Sequence, residues 1–120
     1  MDDAATIRWT ERLNINCAFK IPQYVYQSAI YFLLFQSEVV YIGQSVNPCS
    51  RIQDHAFNKE FDEARIVPMD KSILLNIEGA LIRLLKPKFN TIHHARGRKE
   101  EDERYLQFFY YTLRKIRLAT

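Results

Sequence analysis

One acidic side chain lies on the apolar face of a predicted helix. Residues 71–87, KSILLNIEGALIRLLKP, carry apolar side chains every three or four positions, which is the period of an amphipathic helix. Glu78 falls on that stripe, four residues after Leu74 and three before Leu81. A carboxylate on a core-facing stripe has to be paired, hydrogen-bonded or bound to a metal ion. The spacing leaves three interpretations open: an ion pair with a nearby arginine, a slightly rotated helix that places Glu78 at the edge of the core, or a metal ligand.

Arg51 and His55 lie four residues apart in a second predicted helix, so they share one face of it. Such a pair is often simply solvated. The two side chains also suit phosphate chemistry, because a guanidinium neutralises phosphate charge and an imidazole can take up a proton near neutral pH. Asn90 follows the proline that ends the longer helix and could be only a turn residue. His93 and His94 have no acidic partner at ligand spacing, and we interpret them as loop residues.

Two tyrosines recur ten positions apart in the segment AIYFLLFQSEVVYIGQ, residues 29–44. Two runs rich in Ile, Val, Phe and Tyr predict antiparallel strands over 29–35 and 39–43, joined by residues 36–38. A phenol buried in a β-sheet needs a hydrogen-bond partner. Tyr31 and Tyr41 therefore either fill the core or present two hydroxyls to a ligand.

The remaining elements complete an α+β pattern. Asn47 and Pro48 predict the start of a helix that runs to about residue 58. A third strand is expected around residues 66–67 and ends at Pro68, residues 87–90 are expected to be extended, and residues 93–99 form a loop. A final helix occupies residues 100–118, with a buried stripe at Leu106, Phe109, Tyr110, Leu113 and Ile116. The sequence thus predicts a small three-stranded antiparallel or mixed sheet flanked by helices, with an extra C-terminal helix.

The 120 residues are expected to form one domain. Residues 1–28 are an N-terminal extension, in which the segment FKIPQYVYQ is expected to be extended. No apolar run is long enough to span a membrane, and no secretory signal is recognisable. Cys17 and Cys49 fit no zinc motif, and free thiols are normal in a reducing compartment. We expect a cytoplasmic protein, with association to the nucleoid left open.

The net charge of +3 resides entirely in residues 91–120, which hold seven basic and four acidic residues. This excess is compatible with contact to a phosphate backbone and equally with a solvated helix face. The basic residues considered for nucleic-acid contact are Arg96, Arg98, Lys99, Arg114, Lys115 and Arg117.

Taken together, these residues follow a known order, and the sequence resembles the GIY-YIG nuclease superfamily. The name motif is present as AIY at residues 29–31 and YIG at residues 41–43, with Ala29 in place of the first glycine. The segments NPCSRIQDH and NIEGALIRLLKPKFN match the helix with Arg and His and the helix with Glu, Lys-Pro and Asn. The resemblance covers residues 29–90, about half of the chain.

The resemblance implies metal-assisted hydrolysis of a phosphodiester by Tyr31, Tyr41, Arg51, His55, Glu78 and Asn90. Glu78 would bind a divalent cation, Mg²⁺ or Mn²⁺, because Mg²⁺ is held by few carboxylates and keeps its waters. Tyr31 would be the base or a relay to one, helped by His55 or Tyr41, and which of the three takes the proton stays open. Gly43, Gln44 and Ser45 would join the basic residues in contacting nucleic acid.

The resemblance implies an endonuclease acting on DNA, of a stand-alone restriction-type or a phage or bacterial kind, and RNA is not excluded. A catalytically silent nucleic-acid-binding module with the same fold is the alternative. A homodimer would suit the enzyme, since cleavage of two strands at symmetric sites favours two-fold symmetry.

Overall fold

A computed structural model describes residues 3–20 and 27–119 of the chain. These residues contain four strands and four α-helices. In chain order they are α1 (Asp3–Arg12), β1 (Phe19–Lys20), β2 (Ala29–Phe35), β3 (Glu38–Ser45), α2 (Pro48–His55), β4 (Glu63–Pro68), α3 (Leu74–Leu85) and α4 (Asp102–Ala119). Single 3₁₀ turns lie at Ile15–Cys17, Lys71–Ile73, Ile92–His94 and Lys99–Glu101.

The sheet is antiparallel throughout, in the order β1-β4-β2-β3. The predicted α+β fold with an extra C-terminal helix is confirmed, and the sheet has one strand more than expected. That strand is β1, only two residues long, in which Phe19 pairs with Ile66. Arg65 holds it in place by donating to the carbonyls of Asn16 and Ala18 at 3.1 and 3.2 Å. So short an edge strand has no pattern that a sequence reading could detect.

The hairpin of β2 and β3 turns at two residues, where we predicted three. Gln36 and Ser37 have φ angles of 51° and 68°, the left-handed pair of a two-residue hairpin turn. The carboxylate of Asp62 accepts a hydrogen bond from the Gln36 N–H at 3.0 Å. The usual Asn-Gly signal is absent, so the sequence predicts a connection that is one residue too long. In the structure, Glu38 is the first residue of β3.

Strand β2 is buried on both faces, and this divides the core into two layers. Ile30, Phe32 and Leu34 pack against helices α1, α3 and α4 on one face of the sheet. Tyr31 and Leu33 point to the other face, which α2 covers with Ile52. Side chains alternate along a strand, so the tyrosine of the AIY segment is on the α2 side of the sheet.

Helix α4 buries Leu106, Phe109 and Leu113 of its predicted stripe, whereas Tyr110 and Ile116 are half-buried. Its opposite side exposes three large apolar side chains, Phe108, Tyr111 and Leu118. The homodimer stays a prediction. Among the described residues, no helix is long and apolar enough to cross a membrane.

Helix α1 was not predicted, because few apolar residues mark its buried side. Its anchor is Trp9, which is fully buried and donates its indole N–H to the Glu103 carboxylate at 2.7 Å. Arg8 adds a 3.3 Å ion pair to the same carboxylate. These contacts fasten α1 to the first turns of α4.

Four further expectations need correction or lie outside the described residues. Helix α2 ends at His55 rather than near residue 58. Residues 87–90 form a turn, not an extended segment, since Lys86 is left-handed with φ 47° and the Asn90 N–H donates to the Pro87 carbonyl at 3.1 Å. The predicted loop contains a 3₁₀ turn at Ile92–His94. Most of the segment FKIPQYVYQ lies at residues 21–26, outside the described part.

Candidate active site

A tyrosine and a histidine from two elements share a buried hydrogen bond. The hydroxyl of Tyr31, on β2, lies 2.8 Å from Nε2 of His55, at the last residue of α2. Tyr31 is 1% and His55 6% exposed, so both side chains are buried. Burial raises the pKa of the Tyr31 hydroxyl above its ordinary value, Tyr41 raises it further, and the Arg51 guanidinium opposes the rise.

A glycine makes room for the Tyr31 ring. Gly43 on β3 is the cross-strand partner of Tyr31. A Cβ atom at Gly43 would lie 2.3 Å from both Cζ and the hydroxyl oxygen of that ring. Any side chain at position 43 would therefore displace the phenol, and this explains a glycine at the end of the YIG segment.

Tyr41 lies on the same side of the sheet, next to this pair. Its ring centroid is 4.5 Å from that of His55 and 6.1 Å from that of Tyr31. The Lys59 ammonium is 4.9 Å from the Tyr41 ring centroid. Burial, followed by the Glu78 charge, raises the pKa of the Tyr41 hydroxyl. Both phenols are thus protonated at neutral pH.

Helix α2 adds a neutral imidazole and an exposed guanidinium. Asn47 caps its N-terminus by accepting from the Ser50 N–H, and Pro48 occupies the first turn. The pKa of His55 is lowered, first by burial and then by the cations Lys59 and Arg51. Arg51 is exposed and lies 3.9 Å from Asp54, so its guanidinium is accessible to a ligand.

Glu78 on α3 brings a half-buried carboxylate to this site. Burial raises its pKa to about 7, and the charge of Arg96 and a hydrogen bond from the backbone N–H of Gln44 partly oppose the rise. Within the described part of the chain Glu78 forms no salt bridge. Of the interpretations of Glu78 that the sequence left open, the close ion pair is absent among these residues.

Asn90 is bonded to the outer edge of β3. Its side-chain oxygen accepts from the Ile42 N–H at 2.8 Å, and its amide donates to the Ile42 carbonyl at 2.9 Å. The neighbouring Phe89 N–H donates to the Val40 carbonyl at 3.0 Å. Since β3 is an edge strand, these groups would otherwise lack partners. Asn90 therefore fixes the backbone between Tyr41 and Gly43.

The residues present fit a hard divalent cation that keeps most of its water. Residues 3–20 and 27–119 contain no group of three or more His, Cys, Asp or Glu side chains that could enclose a metal ion. The site offers the carboxylate of Glu78, whose burial is unfavourable to its charge unless a cation lies beside it. Mg²⁺ is commonly bound through one or two carboxylates plus waters and substrate phosphates.

The other predicted nucleic-acid contacts fall into separate groups. Gln44 and Ser45 end β3, where the Ser45 hydroxyl accepts from the Asn47 N–H at 2.8 Å. Arg96 lies near Glu78, and Arg98 is 3.9 Å from Glu101. The remaining four lie farther along the chain, with Lys99 in a 3₁₀ turn and Arg114, Lys115 and Arg117 on α4.

Helix α4 packs on the face of the sheet opposite to Tyr31, with Phe32 and Phe109 in contact at 5.9 Å between ring centroids. The basic residues of α4 are therefore not part of the cluster around His55. Their contact with nucleic acid stays a prediction.

The sequence reading missed Lys59, which lies four residues after His55. The Lys59 N–H donates to the His55 carbonyl at 2.9 Å, so the chain continues for one further turn beyond α2. The i, i+4 spacing from His55 could have indicated that Lys59 faces the same side.

Comparisons with known proteins point to one group of solved structures. No family model matches the sequence, and no curated protein matches it significantly. The chain is similar to the GIY-YIG N-terminal endonuclease domain of UvrC from Thermotoga maritima bound to magnesium, with 15% identity and a TM-score of 0.49 over 76% of this chain and 100% of that chain. A tyrosine-to-phenylalanine mutant of that domain matches at 17% identity and an asparagine-to-alanine mutant at 14%, both with a TM-score of 0.49 and 99% of that chain covered.

Proposed function

We propose that this chain is a metal-dependent endonuclease that hydrolyses phosphodiester bonds in DNA, of a stand-alone restriction-type or phage or bacterial kind. The observation that carries the proposal is the buried 2.8 Å hydrogen bond between the Tyr31 hydroxyl and His55 Nε2. This hydrogen bond lies beside the Tyr41 phenol, the exposed Arg51 guanidinium and the half-buried Glu78 carboxylate. Hydrolysis of a phosphodiester needs a proton acceptor, a phosphate-binding cation and a metal ligand, and the cluster provides one of each.

Tyr31 and His55 form a relay that moves a proton without creating an isolated phenolate. Tyr31 alone is a poor proton acceptor at neutral pH, because its pKa lies above that of an ordinary phenol and its hydroxyl therefore stays protonated. His55 is neutral at pH 7, because its pKa is lowered, and its Nε2 is within reach of the phenol proton. As the Tyr31 oxygen takes a proton from the attacking water, its own proton passes to His55.

The substrate phosphate is held between Arg51 and Glu78. The exposed Arg51 guanidinium can donate to two phosphoryl oxygens at once. Glu78 would hold a divalent cation, which when bound neutralises charge on the phosphate and on the leaving oxygen. Gln44 lies near the Glu78 carboxylate, and Asn90 keeps the β3 backbone in place.

A silent binding module explains the Glu78 position less well. A carboxylate near a phosphate repels it unless a cation lies between them. Its burial is also unfavourable to the charged form, so a protein that only binds nucleic acid would be better served by a neutral residue.

Cleavage of supercoiled plasmid DNA tests the proposal. Wild-type protein is expected to nick or linearise the plasmid with Mg²⁺ or Mn²⁺ and to be inactive with EDTA. Glu78→Ala is expected to abolish cleavage while it retains DNA binding in a gel-shift assay. Arg51→Ala is expected to lower turnover by about 10²–10³-fold, the usual loss for one transition-state donor.

Single-stranded DNA and RNA are the companion substrates, with Arg104→Ala as a control for the loss of one positive charge outside the site. Wild-type protein that cleaves none of the three substrates with either metal, although it binds them, would favour the silent module. Cleavage by Glu78→Ala at the wild-type rate would refute the metal-ligand role.

A further inference from the structure

We propose that Arg96 is a second catalytic cation, which contacts the reacting phosphate beside Glu78, and that Gly79, Arg83 and Asp102 position it. This inference rests on the proposed function. It concerns the segment of residues 95–97, which lies outside the part of the sequence that resembles the superfamily.

Gly79 lets the segment of residues 95–97 lie directly on helix α3. A Cβ atom at Gly79 would be 1.7 Å from the Arg96 carbonyl oxygen and 2.7 Å from its carbonyl carbon. Only glycine permits this approach, although glycine costs helix stability compared with alanine. Because Gly79 directly follows Glu78, the close contact brings the Arg96 backbone next to the predicted metal ligand.

An ion pair fastens the same segment. Arg83 is bound by both oxygens of Asp102, with Nε to Oδ2 at 2.8 Å and Nη2 to Oδ1 at 2.7 Å. The Asp102 side chain is 6% exposed and that of Arg83 is 16% exposed. Arg83 also donates to the carbonyls of Ala95 and Arg96, at 3.4 and 3.1 Å. One guanidinium thus joins α3, the first residue of α4 and the backbone of Arg96.

The result is an exposed cation held by its backbone and free at its side chain. Arg96 is exposed and forms no salt bridge within the described residues, whereas its neighbour Arg98 lies beside Glu101. The positive charge of Arg96 lowers the pKa of the Glu78 carboxyl. A phosphate that meets a cation at Glu78 would find Arg96 on the α3 side and Arg51 on the α2 side. Negative charge that develops on the phosphate oxygens would then be stabilised by a guanidinium on each side.

A double-mutant cycle on Gly79 and Arg96 tests this assignment. Arg96→Ala is expected to lower single-turnover plasmid cleavage by about 10²-fold at saturating protein, the loss usual for one transition-state donor. Gly79→Ala keeps every charge but forces residues 95–97 away from α3, so it should slow cleavage by a similar factor. The double variant should be no slower than Arg96→Ala, because Gly79 acts through Arg96.

Arg83→Lys provides a second route that leaves Gly79 intact. Lysine keeps the charge opposite Asp102 but lacks the fork that reaches the Arg96 carbonyl. It should slow cleavage in the wild-type background and have no further effect in the Arg96→Ala background. Arg96→Lys should restore part of the rate lost in Arg96→Ala. Arg104→Ala, a matched loss of one exposed charge, should cleave at the wild-type rate.

The outcomes distinguish this inference from the proposed function. Wild-type turnover by Arg96→Ala would overturn the inference while the nuclease proposal stands. If the loss of rate in Gly79→Ala or Arg83→Lys multiplies with the loss in Arg96→Ala, Gly79 and Arg83 act independently of Arg96. That result also overturns the inference. A wild-type protein without any cleavage would overturn the proposed function, and this inference with it.

Discussion

Replacement of Glu78 by glutamine is expected to stabilise the fold at alkaline pH while it abolishes cleavage. Glutamine has nearly the shape of glutamate and can still accept the hydrogen bond from the Gln44 N–H. It removes only the charge that burial disfavours. The variant therefore isolates the free energy with which the fold opposes an ionised carboxylate at position 78.

The size of the effect follows from the pKa of Glu78. Burial raises it from 4.5, the ordinary value expected in the unfolded chain, to about 7 in the fold. At 1.36 kcal/mol per pKa unit, the ionised form is less stable in the fold by about 3 kcal/mol. Below pH 4.5 the carboxyl is protonated in both states and costs nothing. Between pH 4.5 and 7 the folded state retains the proton more strongly, so the wild-type protein loses stability as pH rises.

Urea unfolding of both proteins between pH 4 and pH 8 measures this difference directly. The free energy of unfolding of Glu78→Gln should exceed that of the wild-type protein by about 3 kcal/mol more at pH 8 than at pH 4. His55 and the other titrating groups are common to both proteins, so their contributions cancel. Mg²⁺ should then stabilise the wild-type protein alone, by about 2.7 kcal/mol at a hundred times its dissociation constant, which removes most of the difference between the two proteins at pH 8.

Parallel pH curves for the two proteins would refute the reasoning, because they would show that ionised Glu78 is not disfavoured in the fold. A variant less stable than the wild-type protein at pH 8 would show that the carboxylate is held by a favourable ion pair, with Arg96 as its partner. Stabilisation of both proteins by Mg²⁺ to the same extent would place the cation elsewhere.

Three further results are expected. Gly43→Ala should lower the free energy of unfolding by about 1–3 kcal/mol and suppress cleavage, because the new methyl group overlaps the Tyr31 ring. Full activity of this variant would show that the position of the ring is unimportant. Asn90→Ala should cost about 2 kcal/mol in urea unfolding, because it leaves the Ile42 N–H and C=O unpaired, and no loss would mean that water replaces the amide. Protons compete with the cation for Glu78, so the Mg²⁺ concentration needed for half-maximal cleavage should rise about tenfold per pH unit below pH 7. An equal Mg²⁺ concentration for half-maximal cleavage at pH 6 and pH 8 would exclude Glu78 as the ligand.

Long elements with a clear period could be predicted from the sequence, and elements defined by tertiary contact could not. The periodic apolar residues of α3 and α4 and the β-rich runs of β2 and β3 placed these elements within a few residues. Strand β1 exists because Arg65 fixes its neighbouring carbonyls, and α1 is held by Trp9 and by residues about ninety positions away. Neither contact leaves a local pattern.

The candidate site shows the same division. Residue types and spacings singled out Glu78, Arg51 and His55, but the Tyr31–His55 hydrogen bond joins two elements and depends on the packing of α2 against the sheet. In the sequence, Asp102 is one of four consecutive acidic residues, 100–103, near the start of the last helix, where acidic side chains generally favour the helix dipole. In the structure, Asp102 at that place is instead the buried partner of Arg83. A glycine inside an apolar helix, Gly79, was the one local sign that another segment approaches closely.

The edge position of β3 explains how side chains from two layers can act together. Tyr31 and His55 lie on the face of the sheet that α2 covers, whereas the core of α3 packs on the opposite face. Only past the outer strand can a residue of α3 approach the α2 side, and Glu78 does so by accepting the N–H of Gln44 and acting on Tyr41. In the proposed function, a phosphate that contacts both layers would lie across the end of β3. Gly43 has no side chain and Ser45 a short one, which is a physical reason for expecting nucleic-acid contact there.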